Sequence, residues 1–326
     1  MNKICAVKNI NGKEWVEFSD DFNKDLNNRI IDFLSKYQRV KFGWGFNKEI
    51  SRRIIISINK KYIQALPDSL THITFGRNFN NLVDNLPKSV TNLVFGTYFN
   101  QYVKKLPDSL IHLQFGTYFN KPVDNLPSSL THLKFGWRFD HQIDKLPPSL
   151  IHLEFQKDSD FNKPVDNLPR CMKTLEFGCH FNQTVDNLPN SLTHLEFGDV
   201  FNQPVDNLPD SLTHLKFGRN FNQPIDNLPE SIRYLLFKKT SKFNQRIDNL
   251  PQSITHLKFG TSFNQPVDNL PKGLLELEFG KGFNQPLTYS SQDGKSTTLL
   301  PKSLKKLHIN GNYPHPLPDN IEIKKI

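Results

Sequence analysis

Seven of the eleven histidines fall at one position of a recurring pattern: His72, His112, His132, His152, His194, His214 and His256, separated by 20, 40 or 42 residues. In a stack of parallel strands about 4.8 Å apart, these imidazoles would form a ladder. Such a column can bind a metal or titrate between pH 5 and 8. Adjacent side chains on one flat wall do not surround an ion tetrahedrally, and the only carboxylate in the column is Glu276. No metal site is therefore expected. The rings should point outward between inward Leu and Phe residues, leaving a pH-sensitive face as the chemistry to test.

Two residues along, a second outward column reads Thr74, Val94, Gln114, Lys134, Glu154, Glu176, Glu196, Lys216, Leu236, Lys258 and Glu278. It varies while its surroundings repeat, as a recognition surface would. The acidic run Glu154, Glu176, Glu196 between Lys134 and Lys216 gives it a polarity. A third column, from Asp84 to Asp268, could suggest calcium, but an Asp that caps its own turn two residues on explains it more cheaply. Gly294, Lys295 and Ser296 are a fragment of a phosphate loop whose first glycine would be Tyr289, so a polar loop is expected. No nucleophile with a dedicated base stands out, and neither an enzyme nor a cofactor is expected.

The element that must position these columns is the 201–218 unit, FNQPVDNLPDSLTHLKFG. Aligned on its first residue it gives Phe79, Phe99, Phe119, Phe139, Phe161, Phe181, Phe201, Phe221, Phe243, Phe263 and Phe283, at intervals of 20 residues with two of 22. A fixed period of this size is the mark of a solenoid whose units bury apolar surface only by stacking. Leu215 and Phe217 alternate about Lys216 as a strand does, while Pro204 and Pro209 forbid a helix through the rest. Each coil is one short parallel strand and an extended return. Asn follows every leading Phe except at Asp140, and its amide is expected to face the next coil and satisfy backbone groups that the turn leaves unpaired. Gly218 is replaced by Gln156 and Lys238 where two residues are added, from which a positive φ is expected in the shorter turn.

The pattern FNQPVDNL followed by PxSLTHLxFG resembles the FNIP repeat, a relative of the leucine-rich repeat, over residues 66–288. The resemblance implies a mainly β, leucine-rich-repeat-like solenoid of about eleven regular coils of 20–22 residues, with a parallel sheet on one wall, few helices and atypical capping coils at both ends. It also implies a non-enzymatic role. Some relatives carry an F-box ahead of the repeat, so a substrate-recognition adaptor of a ubiquitin ligase is the alternative.

Residues 1–65 read as an N-terminal cap. Asn11-Gly12 between alternating segments predicts a hairpin. Leu26, Ile30, Ile31, Phe33, Leu34 and Tyr37 predict a helix of about three turns, and residues 51–66 an extra strand. Residues 289–326 read as a loop and a closing cap. The net charge of +9 invites nucleic acid, but the terminal segments 1–66 and 281–326 carry 20 Lys/Arg against 10 Asp/Glu, while the coils between carry 21 against 22. Without a basic stripe along the wall, nucleic acid is disfavoured; Arg52, Arg53, Lys60 and Lys61 are the place a basic end could touch an anion. Three cysteines make no disulfide framework, and no stretch is long enough to span a bilayer. The expectation is a monomer in a reducing, intracellular compartment. It would bind a protein partner along the strand wall through His112, His132, His152, His194, His214, Lys134, Glu154, Glu176, Glu196 and Lys216.

Overall fold

The computed structural model describes residues 4–50, 66–290, 296–317 and 321–325. The strand expected over 51–66 lies outside these except for Leu66, as do its four basic residues and Gly294 and Lys295. The chain divides into two compact units, Met1–Phe161 and Asn162–Ile326.

In the first unit β1 (Cys5–Ile10) and β2 (Lys13–Phe18) form an antiparallel hairpin. Its turn is Asn11 at φ 54° and Gly12 at φ 75°, the two positive values that the Asn-Gly pair predicts. Strands β3 (Arg39–Lys41), β4 (His72–Thr74), β5 (Asn92–Val94), β6 (His112–Gln114), β7 (His132–Phe135) and β8 (His152–Phe155) then pair in parallel, each with the one before. The helix α1 (Asn28–Leu34) is shorter than expected, with seven residues, and starts where the Asn27 side chain accepts from the Ile30 N–H. It buries Ile30, Ile31 and Leu34.

In the second unit the parallel order is β9 (Thr174–Glu176), β10 (His194–Glu196), β11 (His214–Phe217), β12 (Tyr234–Phe237), β13 (His256–Lys258) and β14 (Glu276–Glu278). The expected polar loop after β14 is instead flanked by two strands, β15 (Thr288–Ser290) and β16 (Ser296–Thr298), paired antiparallel. Strands β17 (Lys306–Ile309) and β18 (Glu322–Lys325) continue the parallel sheet from β14. The fold is a mainly β, leucine-rich-repeat-like solenoid. Its turns outnumber the eleven regular coils because the terminal coils join the same strand stacks.

Each coil is held to the next by columns of identical groups. The strand Phe and the leading Phe stack within a coil, as for Phe197 and Phe201 at 3.7 Å. Each also faces its counterpart one coil on, Phe197–Phe217 at 5.6 Å and Phe201–Phe221 at 6.1 Å. The columns begin in the cap, where Phe18–Phe42 and Phe22–Phe46 are 5.2 and 5.9 Å apart. All these rings are buried. Fully burying a Phe, Val or Leu side chain contributes about 1.5–3 kcal/mol, so the two Phe columns share the stabilisation of a coil with buried aliphatic residues such as Val205, Leu208, Leu212 and Leu215.

The Asn column behaves as its placement predicts. Asn182 Oδ1 accepts from the Asn202 N–H at 2.9 Å and Asn202 Oδ1 from the Asn222 N–H at 2.8 Å; Asn80, Asn100 and Asn120 repeat the bond in the first unit. A serine column that sequence reasoning left unassigned does similar work: Ser211 Oγ donates to the Leu192 carbonyl at 2.6 Å and Ser129 Oγ to that of Leu110 at 2.7 Å.

Two local expectations are corrected. The glycine after the strand does not need a positive φ, because among the described glycines only Gly12 has one. It is required by contact: a Cβ on Gly116 would lie 1.9 Å from the Gly96 carbonyl oxygen, and one on Gly218 would lie 2.0 Å from that of Gly198. In the 22-residue coils the turn closes at a buried serine instead. Ser241 N–H donates to the Lys238 carbonyl at 2.8 Å, and its hydroxyl accepts from the Phe243 N–H at 3.2 Å. In the second unit the Asp column, from Asp166 to Asp226, bonds across coils. Asp186 Oδ1 accepts from Asn207 Nδ2 and Asp206 Oδ1 from Asn227 Nδ2, both at 3.1 Å.

Candidate functional site

Strand alternation places Leu and Phe inward and the residues between them outward, so the burial of β7 and β8 alternates from half-buried to buried along each strand. In the first unit the outward histidines stack face to face, His112–His132 at 4.2 Å and His132–His152 at 4.3 Å, with Asn92 interposed before His72. In the second unit His194–His214, His214–Tyr234 and Tyr234–His256 stand at 4.0, 4.3 and 4.4 Å. The ladder is thus one of flat rings, in which Tyr234 replaces an imidazole without breaking the stack.

A threonine immediately before several histidines fixes the ring edge: Thr131 Oγ1 lies 2.7 Å from His132 Nδ1, and Thr213 Oγ1 lies 2.9 Å from His214 Nδ1. Packing removes water from the rings. Desolvation, and then the neighbouring imidazoles His112 and His152, hold His132 below the ordinary histidine value. His214 is lowered by burial and then by His194 and His256. At the cap His72 falls to about 4 through desolvation and the positive charges of Arg39 and Lys13. His72, His112, His132 and His214 are therefore biased toward the neutral ring. Among the described residues no three His, Cys, Asp or Glu side chains converge to hold a metal.

The variable column is charged and internally paired. Lys134 bonds Glu154 across β7 and β8, Lys216 Nζ meets Glu196 Oε1 at 2.6 Å, and Lys258 Nζ meets Glu278 Oε1 at 2.8 Å. The acidic polarity expected of Glu154 and Glu196 is thus offset by the adjacent lysine in each unit. Glu176 aligns with Glu196 on β9.

Beside this column the glycines leave a trough. In the first unit it has about 360 Å³ over Gly96 and Gly116, lined by Thr97, Thr117, Gln114, Lys134 and Gln156. In the second unit Lys238 takes the glycine position. Its Nζ reaches both carboxylate oxygens of Asp199, two coils back, at 2.7 and 2.6 Å. Beyond the trough lie turn residues that sequence reasoning missed, Trp44, Tyr98, Tyr118 and Trp137. They fall at two adjacent positions whose residue type changes from coil to coil, Trp44 and Trp137 directly after the glycine and Tyr98 and Tyr118 one residue on, and FGTY in two successive coils and FGW in two others mark them.

The FNIP repeat model matches residues 81–118, 99–136, 119–158, 139–180, 161–200, 181–207, 201–240 and 243–282. No curated protein matches the chain. Among solved structures, CroV588, a circular LRR protein from a giant virus, is 35% identical, covers 98% of this chain and has a TM-score of 0.74. The match covers 49% of that protein, so the chain spans about half its length. YopM from Yersinia enterocolitica is 19% identical over 89% of this chain and 65% of its own, with a TM-score of 0.49. An internalin from Listeria monocytogenes is 12% identical over 82% and 87%, with a TM-score of 0.45. No helix among the described residues is long and apolar enough to cross a membrane. With the repeat model covering most of the chain, and a solved relative sharing its coils from end to end, the chain belongs to the FNIP repeat family.

Proposed function

We propose that the chain is a non-enzymatic scaffold that binds a protein partner along the strand wall. The observation that carries this reading is the pair of outward columns. One is a ladder of stacked rings and the other changes from coil to coil on an otherwise repeated framework. Solenoids of this class commonly use such walls for protein–protein interaction. In the first unit the contact residues are His112, His132, His152, Lys134 and Glu154; in the second they are His194, His214, Glu176, Glu196 and Lys216. Aromatic-like rings that are already ordered lose little entropy on binding, which suits them as anchors. Nucleic acid is disfavoured because the wall cations are spent on carboxylates.

The same reading places the protein as a monomer in a reducing, intracellular compartment, with residues 1–65 and 289–326 as caps on the 66–288 repeats. The ligase-adaptor alternative needs a helical docking domain, and the described part of residues 1–65 contributes one seven-residue helix whose inner face is already buried.

The test is the triple variant Glu154→Lys, Glu176→Lys, Glu196→Lys as bait beside the wild type in a lysate of the source organism. Exposed ion pairs contribute about 0–1 kcal/mol each, so the variant should stay folded. Its partner should be lost. Recovery of the same partner in the same yield would reject the wall.

A further inference from the structure

Among the described residues, eight of the ten exposed large hydrophobic side chains lie in the first unit, and four stand on the turns that follow β3 to β7: Trp44 (60% exposed), Tyr98 (41%), Tyr118 (42%) and Trp137 (39%). The turns are tied in order by backbone bonds, from Asn78 N–H to the Trp44 carbonyl at 3.0 Å, Tyr98 N–H to that of Arg77 at 2.9 Å, and Arg138 N–H to that of Thr117 at 2.9 Å. The side chains standing on them therefore hold a regular spacing. Tyr98 and Tyr118 stack at 5.2 Å, the Arg77 guanidinium lies 5.3 Å over the other face of Tyr98, and Arg77 Nη2 donates to the Tyr98 hydroxyl at 3.2 Å. At the far end Arg138 covers Trp137 at 4.9 Å, and both donate to Asp160.

Trp, Tyr and Arg are the residue types in which binding energy concentrates at protein interfaces. This arrangement also specifies a chemistry. The Tyr98 oxygen accepts from Arg77, so its own proton is free to be donated outward. Arg77 meets no carboxylate among the described residues, and its remaining N–H groups are open. A guanidinium beside two phenolic O–H groups is a receptor for a carboxylate, and charge-assisted bonds of this kind are the strong ones. The two ends of the ridge already meet acids, Asp20 at the Trp44 N–H and Asp160 at Trp137 and Arg138, so the cation left for a ligand is Arg77 at its middle. A nucleic acid fits less well. Both faces of Tyr98 are covered, so bases cannot stack on it.

We propose that this ridge binds an acidic, extended segment of a protein partner, one carboxylate of which is held by Arg77, Tyr98 and Tyr118. Five rungs at about 4.8 Å span about 19 Å, the length of about six extended residues. The proposal rests on the reading of the chain as an interaction scaffold and adds a second surface to it. Its assay uses a synthetic probe, so it stands or falls independently of the wall variants.

The probe is fluorescein-labelled hexaglutamate, followed by anisotropy, with hexalysine and octauridine RNA as comparisons. Hexaglutamate should bind and hexalysine should not. Arg77→Ala should weaken binding at least fivefold, and Tyr98→Phe with Tyr118→Phe at least threefold, with unchanged thermal midpoints because all three residues are exposed. Lys272→Ala, an exposed lysine of the second unit, should change nothing. Absence of hexaglutamate binding, wild-type affinity in the Arg77 and tyrosine variants, or tighter Arg77-dependent binding of the RNA would each overturn the proposal.

Discussion

Replacing Asn202 with alanine should destabilise the second unit by about 1–1.5 kcal/mol. The Asn202 side chain accepts the Asn222 N–H at 2.8 Å, and its backbone N–H is received by Asn182 at 2.9 Å. The substitution leaves the second bond intact and orphans one backbone donor in the stack. A neutral hydrogen bond contributes about 0.5–1.5 kcal/mol net, and an unsatisfied buried donor costs about 1–3 kcal/mol. Asn202 is half-buried, so water partly reaches the orphan and the loss should fall in the overlap of those ranges. Urea unfolding followed by far-UV circular dichroism measures it. Two companions separate the mechanism from mere truncation. Asn202→Asp keeps an acceptor at that position, as Asp140 stands there naturally, and should recover more than half the loss. Gln203→Ala removes a donor to the Asn182 carbonyl and should cost about 0.5 kcal/mol, since water can replace it. If Asn202→Ala stays within about 0.3 kcal/mol of the wild type, or Asn202→Asp is as damaging as alanine, the amide column is not what joins the coils.

Gly116→Ala forces a Cβ to within 1.9 Å of the Gly96 carbonyl, a backbone atom that cannot swing away, whereas Gly311→Ala meets nothing within 4 Å. The first should cost about 2 kcal/mol or more by overpacking and the second should be near neutral, read from paired urea midpoints. Stability should also depend on pH through the histidine ladder. His112, His132 and His72 have folded values below the ordinary 6.5, so the unfolded chain binds protons first. Their contribution is complete above 6.5 and is lost as pH falls from there, for His72 down to about 4. Urea midpoints at pH 7.5, 6.5 and 5.5 should decline. A His112→Asn, His132→Asn variant, which copies the natural Asn92 of the same column, should decline less; equal slopes would remove the ladder as the cause.

Much of the coil was legible from spacing alone. A 20-residue period with paired prolines leaves room for one short strand, and alternation about Lys216 already tells which side chains face inward. The outward histidines, the stacked Phe columns and the Asn bonds all follow, because identical coils in register place each residue beside its own copy. That inference needs only the period and the 4.8 Å strand spacing.

What the sequence could not decide depends on contacts between different positions of successive coils. The glycine after the strand looks like a torsional requirement when one turn is read by itself; only the stack shows the preceding carbonyl filling the place of its Cβ. The Asp in VDNL looks self-capping until the next coil brings its Asn side chain within 3.1 Å. The charges of the variable column read as a polarity until neighbouring strands pair Lys134 with Glu154 and Lys216 with Glu196. The aromatic ridge had no period to announce it, since Trp, Arg and Tyr succeed one another there, and only turns aligned coil on coil bring them together. Repetition along the chain determined the framework. The departures from repetition acquire a neighbour, and hence a chemistry, only when the coils are stacked.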